Sequence, residues 1–263
     1  MALFKGMPFQ LPFTLFCTSD LHLERADVRS HPTPLSFVQR LVDTMPSTEV
    51  CVLAGDLGDP TLCEFGAFLS ACVAKYKCVL FVTGNHERWT LPSASIRTLV
   101  NELGAVYLEN EFYLYKGVWF YGATLWTELK NRSRELCETI HDFKAIANFS
   151  PDQWQKEHTT SRASLLRFLS QNVGETTVVI THHPPSNRCI PSQFMPDPTN
   201  QFYATNLEFV LNGPHAPVAW ICGHTHSPLC ETIGQTLVVN NPHRCIDNTW
   251  YGWADPQAYW HCD

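Results

Sequence analysis

Short apolar runs alternate along the chain with stretches of helical spacing. FTLFCTS (13–19) reads as a buried strand. PLSFVQRLVDTM (34–45) puts Leu35, Val38, Leu41, Val42 and Met45 at helical intervals. VCVLAG (50–55) returns to strand, LCEFGAFLSACVAKY (62–76) to helix and CVLFVTG (78–84) to strand. Such a β-α-β-α-β progression predicts parallel pairing, because each helix carries the chain back to the same edge. Further strands are expected at 112–115, 118–123, 176–181, 217–222 and 236–240, and helices at 133–147 and 151–171. No linker, repeat or low-complexity segment divides residues 1–263. The expectation is a single α/β domain with a helical insertion at about 125–172.

Composition agrees with a buried core, since 44% of residues are hydrophobic and 16% charged. The net charge of -7 comes without any Lys/Arg cluster. A stable nucleic-acid complex is therefore not expected, whereas a nucleotide-sized ligand remains compatible. No apolar run approaches the roughly 18 residues of a membrane helix, so no membrane partner is expected. The first residues, MALFKGMPFQLPFTLFC, have the look of a short signal peptide. Pro12 interrupts them, no small-residue cleavage site follows, and they run into a polar motif at Asp20, so they are read as part of the fold. The 11 cysteines form no CxxC pair, and several sit inside apolar strands. Their odd number and scatter favour reduced, buried thiols and a cytoplasmic location over a disulfide framework.

Polar residues gather where the strands end. The first ends in Ser19-Asp20-Leu21-His22, the second in Gly55-Asp56-Leu57-Gly58-Asp59, the third in Gly84-Asn85-His86-Glu87. Two later strands end in Thr181-His182-His183-Pro184 and Gly223-His224-Thr225-His226. In an open α/β sheet ligands sit beyond the carboxyl ends of the strands. A single Asp there ordinarily caps a turn, and a single His is ordinarily a satisfied surface or core residue. Five such ends in one chain point instead to a shared site. Carboxylates and imidazoles with one bridging carboxylate are what a pair of divalent cations requires. Asp20/His22 and His224/His226, each two residues apart, are expected to face one cleft if their segments are extended. The glycines before Asp56, Asn85 and His224 are expected to let the backbone turn beside the metals. No cysteine joins the set, which argues against a thiolate zinc site.

In order, these motifs read DxH, GDxxD, GNHE, HxP and GHxH, and they resemble the signature of the calcineurin-like metallophosphoesterase superfamily, as found in bacterial-type single-domain members. The resemblance implies a four-layer α/β/β/α sandwich with two central mixed sheets and a dinuclear metal site at the strand ends. It implies that Asp20, His22, Asp56 and His226 hold one ion and that Asp56, Asn85, His182 and His224 hold the other. His86 matches the catalytic histidine that contacts the substrate phosphate. Asp59 takes a supporting position that orients a motif or a ligand. His183 is the less favoured ligand of its pair, because the family pattern is His-x-Pro. The implied cofactors are two divalent ions (Mn, Fe or Zn), and the implied reaction is attack on a phosphate ester by a hydroxide that the ions share.

Departures from sub-family patterns narrow the substrate. Protein phosphatases of the superfamily carry a phosphate-gripping arginine directly after GDxxD, where this chain has Pro60. Their second arginine corresponds to Trp89, with Arg88 one residue earlier. A monoester dianion gains most from an extra guanidinium, so a phosphodiester is favoured over a phosphomonoester or phosphoprotein as the small substrate. A non-catalytic scaffold of the same fold is the third reading, opposed by the intact motif set. Specificity is expected in the loops over the metal edge: Thr124-Leu125-Trp126 with Arg132, Arg134, His141 and Asp142 after it, and Pro184 to Tyr203 with Asn187 and Arg188. Trp126, Asn187 and Arg188 are the candidate substrate contacts. The C-terminal aromatics Trp250, Tyr251, Trp253, Tyr259 and Trp260 are read as core caps before base-stacking groups.

Overall fold

Three strands near the N-terminus are buried on both faces, and this explains why their sequences run apolar without alternation. They are β1 (Leu15–Thr18), β2 (Val50–Leu53) and β3 (Cys78–Phe81). A computed structural model describes residues 11–25, 33–243, 245–246 and 249–250 of the chain. The first half runs β1, α1 (Pro34–Thr44), β2, α2 (Cys63–Lys75), β3, α3 (Asn85–Thr90), α4 (Ser93–Glu102) and β4 (Val106–Tyr107). The second half begins with β5 (Glu111–Tyr115), β6 (Val118–Ala123), α5 (Arg134–Cys137), α6 (Asp142–Ala145) and α7 (Pro151–Gln171). It continues through β7 (Thr176–Thr181), α8 (Glu208–Leu211), β8 (Ala219–Cys222), β9 (Leu229–Ile233) and β10 (Thr236–Asn240), and then a short pair, β11 (Cys245–Ile246) and β12 (Thr249–Trp250).

Two sheets form the centre. The first has the order β1-β2-β3-β4 and is parallel throughout. The second has the order β5-β6-β7-β8-β10-β9, parallel in the middle and antiparallel at both edges. The first sheet is thus parallel where a mixed one was expected, because a helical crossover joins each of its successive strands.

The two faces of each strand enter different cores. Leu15, Cys17, Val50 and Val52 meet Val118, Phe120, Val178, Ile180 and Ile221 between the sheets. Phe16, Cys51 and Leu53 join Leu41, Phe65, Phe68 and Ile96 beneath α1, α2 and α4. Tyr121, Val179, Trp220 and Val238 on the far face pack with Leu165, Phe168 and Leu169 of α7. The layers therefore run α/β/β/α. Backbone contacts join the two sheets beside the site: Ser19 bridges to Pro242, and the His243 N–H donates to Ser19 O at 2.9 Å.

Several elements differ from the sequence reading. The stretch 133–147 is two four-residue helices, α5 and α6, and not one. Helices α3 and α4 and strands β4 and β9 were not foreseen. Strand β9 is an edge strand with mostly half-buried residues, so it carries little pattern. Cys17, Cys51, Cys72, Cys78, Cys137, Cys189 and Cys222 are buried free thiols, as expected, and burial pushes the Cys17 thiol up to about 12. Cys230 departs from that expectation, being disulfide-bonded. No described helix is long and apolar enough to cross a membrane. The N-terminal segment before residue 11 and the side chains of the C-terminal aromatic run lie outside the described residues.

The segment between β6 and β7 has its own core of Trp126, Phe149 and Trp154, completed by Phe202 from the loop after β7. It is tied to the strand ends by Arg88 of α3, whose guanidinium donates to both carboxylate oxygens of Glu157 on α7 at 3.0 and 3.3 Å. The same carboxylate accepts from Trp126 Nε1 at 2.8 Å. With Arg88 removed, Glu157 would stay largely buried without its cation, so Arg88→Ala should destabilise the fold by about 3 kcal/mol. The double variant Arg88→Ala/Glu157→Ala should recover part of that loss. Urea unfolding of the three proteins measures it, and a loss below about 0.5 kcal/mol for Arg88→Ala would reduce this contact to a surface pair.

Candidate active site

Each motif leaves the C-terminal end of a strand, and the folded backbone turns it inward sharply. Asp20, His22, Asp56, His224 and His226 all have positive φ, between 50° and 69°. For non-glycine residues this left-handed conformation is strained by roughly 1–2 kcal/mol each. The segments are not extended, so the expected same-side geometry of residues two apart does not arise from pleating. Left-handed turns converge the side chains instead. Strain concentrated at one cluster of polar residues is a mark of function.

The glycines act chiefly by close approach. Gly55 has φ +85°, as expected for a turn, but Gly84 has an ordinary φ. A Cβ at Gly84 would lie 2.0 Å from Asp56 Oδ1, and one at Gly223 would lie 2.8 Å from the Ser19 side chain. Asn85 and His86 are the first residues of α3 and not an extended pair.

Besides a grouping of His22, Glu24 and His86, the side chains form two donor groups that share Asp56. In one, Asp20, His22, Asp56 and His226 offer ligand atoms that all lie within 4.8 Å of one another; in the other, Asp56, His182 and His224 do. His182 Nδ1 faces Ala54 O at 2.9 Å, which can only accept, so the ring carries a hydrogen there. Its Nε2 then faces Asn85 Oδ1 at 3.2 Å, His224 Nδ1 at 3.2 Å and Asp56 Oδ2 at 3.3 Å. One hydrogen cannot serve three lone pairs, whereas one divalent cation can. Likewise His22 Nδ1 faces Glu24 Oε1 at 3.2 Å, and its Nε2 lies 3.0 Å from His226 Nε2. The donor set thus fits divalent metal, with Asp56 common to both groups.

Charge tells the same story. Burial pushes the Asp56 carboxyl up, but His182, His86 and His22 hold it well below the carboxylate range. Burial pushes His182 down, but Asp56 and then Asp20 raise it to about 10. His22 is lowered by burial and raised by Glu24, Asp56 and Asp20, ending at about 9. Without metal, protons on these rings balance the carboxylates. Burial, with His183 and His182 nearby, holds His224 well below its ordinary value, leaving a neutral imidazole.

The residue-family relation follows from this arrangement together with one further finding. The profile described as calcineurin-like phosphoesterase matches residues 13–228. The chain belongs to the calcineurin-like phosphoesterase family. Uncharacterized protein L509 of Acanthamoeba polyphaga mimivirus is 26% identical to this phosphoesterase over 234 residues, covering 79% of this chain and 82% of the relative. Phosphopantetheinyl hydrolase (PptH) of Mycobacterium tuberculosis superposes with a TM-score of 0.70 at 20% identity, over 92% of this chain and 96% of that one. A putative 5'-nucleotidase of Staphylococcus aureus gives 0.50 at 12% identity, over 86% of this chain and 48% of that one. At such identities the two structures establish the fold alone.

Within this phosphoesterase, a cleft of about 440 Å³ opens over Asp56, Asn85 and His86, with Trp89 and His141 on its wall and Phe202 and Tyr203 at its rim. Two of the loop residues singled out in the sequence reach it, His141 and Asp142. Asp142 Oδ1 accepts from Asn85 Nδ2 at 2.9 Å and Trp89 Nε1 at 2.6 Å, which turns the Asn85 oxygen toward His182. Arg132 and Arg134 pair with Asp152 and Glu138 on the surface.

The three candidate substrate contacts are not brought to the cleft. Trp126 is 1% exposed and stacks against Trp154 and Phe149, so its indole is core. Arg188 pairs with Glu231 of β9. Asn187 lines a separate surface hollow with Lys130 and Gln201. Asp59 touches none of the clustered ligands. Its Oδ1 accepts from the Thr61 N–H and the Thr90 hydroxyl, both at 2.8 Å, so it braces the loop after β2 against the end of α3. His183 is buried and turns its Nδ1 to Thr124 O at 3.2 Å, outside both donor groups.

Two carboxylates escaped the sequence reading. Glu24 Oε1 lies 2.8 Å from His86 Nδ1 as well as 3.2 Å from His22 Nδ1. Burial pushes Glu24 up, yet the two histidines hold it at about 2. No motif marks it. Glu87 accepts four backbone N–H bonds: Leu57 at 2.6 Å, Gly84 at 2.7 Å, Asp56 at 3.1 Å and Gly58 at 3.3 Å. A glutamate three residues beyond the Gly84 cap was its available signal.

The raised histidines set a pH window. Both folded values exceed the ordinary 6.5, so their contribution to stability is complete below pH 6.5 and disappears as pH rises through about 9 to 10. Metal must displace those protons. The metal-free protein should therefore lose thermal stability from pH 7 to 10, while the rise in Tm on adding Mn²⁺ should grow over the same window. Thermal unfolding with and without Mn²⁺ across that range checks both, and a metal effect that shrinks with pH would contradict this donor set.

Proposed function

We propose that this phosphoesterase hydrolyses a small phosphodiester with two divalent ions, one held by Asp20, His22, Asp56 and His226, the other by Asp56, Asn85, His182 and His224. The observation that carries the reading is the buried Asp56 carboxylate common to both donor groups. When bound, the ions would supply Lewis acidity toward a phosphate oxygen and an activated water. The names of the two structural neighbours, a phosphopantetheinyl hydrolase and a putative nucleotidase, accord with phosphate-ester chemistry.

The diester preference draws on what the cleft contains. Among the described residues that line it there is no Lys or Arg. The nearby Arg88 is committed to Glu157 through two hydrogen bonds. A dianionic monoester would find no guanidinium beyond the metals, whereas a monoanionic diester needs none. Measured kcat/KM on matched aryl esters should favour the diester. A monoester preference of tenfold, about 1.4 kcal/mol at the transition state, would reverse the assignment.

His86 is the proposed acid. Glu24 holds the hydrogen on its Nδ1, and its ring lies 3.6 Å from that of Trp89. Its Nε2 sits 3.9 Å from Asp56 Oδ2, beside the donor groups. When protonated, Nε2 donates to the oxygen on which charge develops as the ester bond breaks. Glu24 acts through His86 as a positioning residue. His86→Ala should retain its metals and lower kcat by roughly 10²–10⁴-fold, more for alkyl than for nitrophenyl leaving groups. Glu24→Gln should lower kcat in the same leaving-group-dependent way, and adding it to His86→Ala should bring little further loss. Metal analysis beside the kinetics separates the outcomes: metal loss in proportion to activity would make either residue a ligand or a ligand support.

A further inference from the structure

The cleft does not close at Tyr203. A second cavity of about 210 Å³ adjoins it, and Tyr203 and Thr225 line both. Thr225 stands between His224 and His226, and its hydroxyl is held by Asn240 Nδ2 at 2.8 Å. The Tyr203 ring lies 5.2 Å from the His224 ring, tilted by 30°. The second cavity therefore opens one residue away from the clustered histidines.

Half of its lining residues are apolar or aromatic, Ile190, Pro191, Phe194 and Tyr203, and the polar half is already engaged: the Thr199 hydroxyl donates to Asp197, the Asn200 amide donates to Phe194 O, and the Thr225 hydroxyl accepts from Asn240. Ile190, Pro191 and Phe194 come from the segment after His183-Pro184. Phe194 is 55% exposed and Tyr203 40% exposed, apolar surface that nothing else in the described fold covers. Among the described residues the lining has a single carboxylate, Asp197, which already accepts from the Thr199 N–H at 2.8 Å. Among the described residues no Lys or Arg lines it. The chemistry that fits is an uncharged aryl or alkyl group.

We propose that this side pocket holds the ester substituent that stays on phosphorus, and that the substrate is a phosphodiester whose retained substituent is uncharged and apolar. The proposal rests on the phosphodiesterase reading above. Hydrolysis adds water across one P–O bond: phosphorus gains a hydroxyl, and the departing oxygen takes a proton and leaves as an alcohol. The departing oxygen belongs with His86, whose ring packs on Trp89, which in turn meets His141. Tyr203 belongs to a different stack, with His224 and His183. The retained substituent falls to that second side, where the pocket opens.

The test uses the metal-loaded protein and two diesters with one leaving group, methyl 4-nitrophenyl phosphate and phenyl 4-nitrophenyl phosphate. The phenyl ester should have a kcat/KM at least tenfold higher. Phe194→Ala and Tyr203→Ala should each cut that ratio to threefold or less. Both side chains are substantially exposed, so their truncation leaves the fold intact. Phe209→Ala, which removes an exposed ring remote from both cavities, should leave the ratio unchanged. Calorimetric titration of phenylphosphonate and methylphosphonate gives a second readout, with phenylphosphonate binding tighter and losing that advantage in Phe194→Ala. Equal kcat/KM for the two esters, or a preference that survives both truncations, overturns the pocket assignment. Failure to turn over either ester overturns the phosphodiesterase reading, and the phosphonate titrations then decide the pocket by themselves.

Discussion

One buried carboxylate holds the two most important loops of the site together. Glu87 sits in the first turn of α3, fully buried, and accepts backbone N–H groups from both the loop after β2 and the start of its own helix. Burial and the nearby Asp56 carboxyl push it up to about 7, against the pull of His182 and of those N–H groups. The loop after β2 carries Asp56, and the helix carries Asn85 and His86. This clamp, together with the His86 N–H bond to Asp56 Oδ1, maintains the close approach of Gly84 to Asp56. The absence of a Cβ at Gly84 and the backbone hydrogen bonds to Glu87 are two halves of one constraint, and the shared carboxylate at the centre of the cluster depends on both.

The second constraint is electrostatic. Three of the clustered side chains, Asp20, Asp56 and His182, are at most 2% exposed. Buried carboxylates must be matched by positive charge or by hydrogen bonds. Here part of the match comes from backbone, since the His224 N–H donates to both oxygens of Asp20 at 3.0 and 3.1 Å and the His86 N–H to Asp56 Oδ1 at 3.0 Å. The rest falls to imidazoles whose ring nitrogens crowd one another. Such an arrangement is poorly satisfied by protons and well satisfied by divalent cations. Strained left-handed backbone at five of these residues points the same way: the fold tolerates local strain where the ligand set needs its geometry.

The helical segment between β6 and β7 shapes the cleft above the cluster. It is a small aromatic core of its own, docked onto the strand ends through Arg88 and Glu157. From it, Asp142 fixes the Asn85 amide and the Trp89 indole together. The wall of the cleft is thereby coupled to the orientation of the Asn85 oxygen, which faces His182. The opposite rim comes from the loop after β7, whose exposed aromatics border the side cavity.

The strand ends and their motifs were legible in sequence because a strand buried on both faces is a continuous apolar run, and a polar cluster at its end has no place in the core. Asp20, His22, Asp56, Asn85, His182, His224 and His226 are brought together as the motif order implied; the α/β class followed from the alternation of runs, and the four-layer sandwich from the family resemblance. The sequence could not supply the partners of those residues. Glu24 faces His86, and Asp142 faces Asn85 across 57 residues, because turns and packing bring them there, and no periodicity encodes such a contact. The placement of Trp126, Asn187 and Arg188 was illegible for the same reason: residue type gave them chemistry, while burial within an aromatic core, position on a separate hollow and an ion pair with Glu231 set them apart from the cleft. Local sequence determined which chemical groups leave each strand. Only the tertiary structure decided which of them share a cleft, since that depends on the long-range packing of two sheets and a docked helical segment.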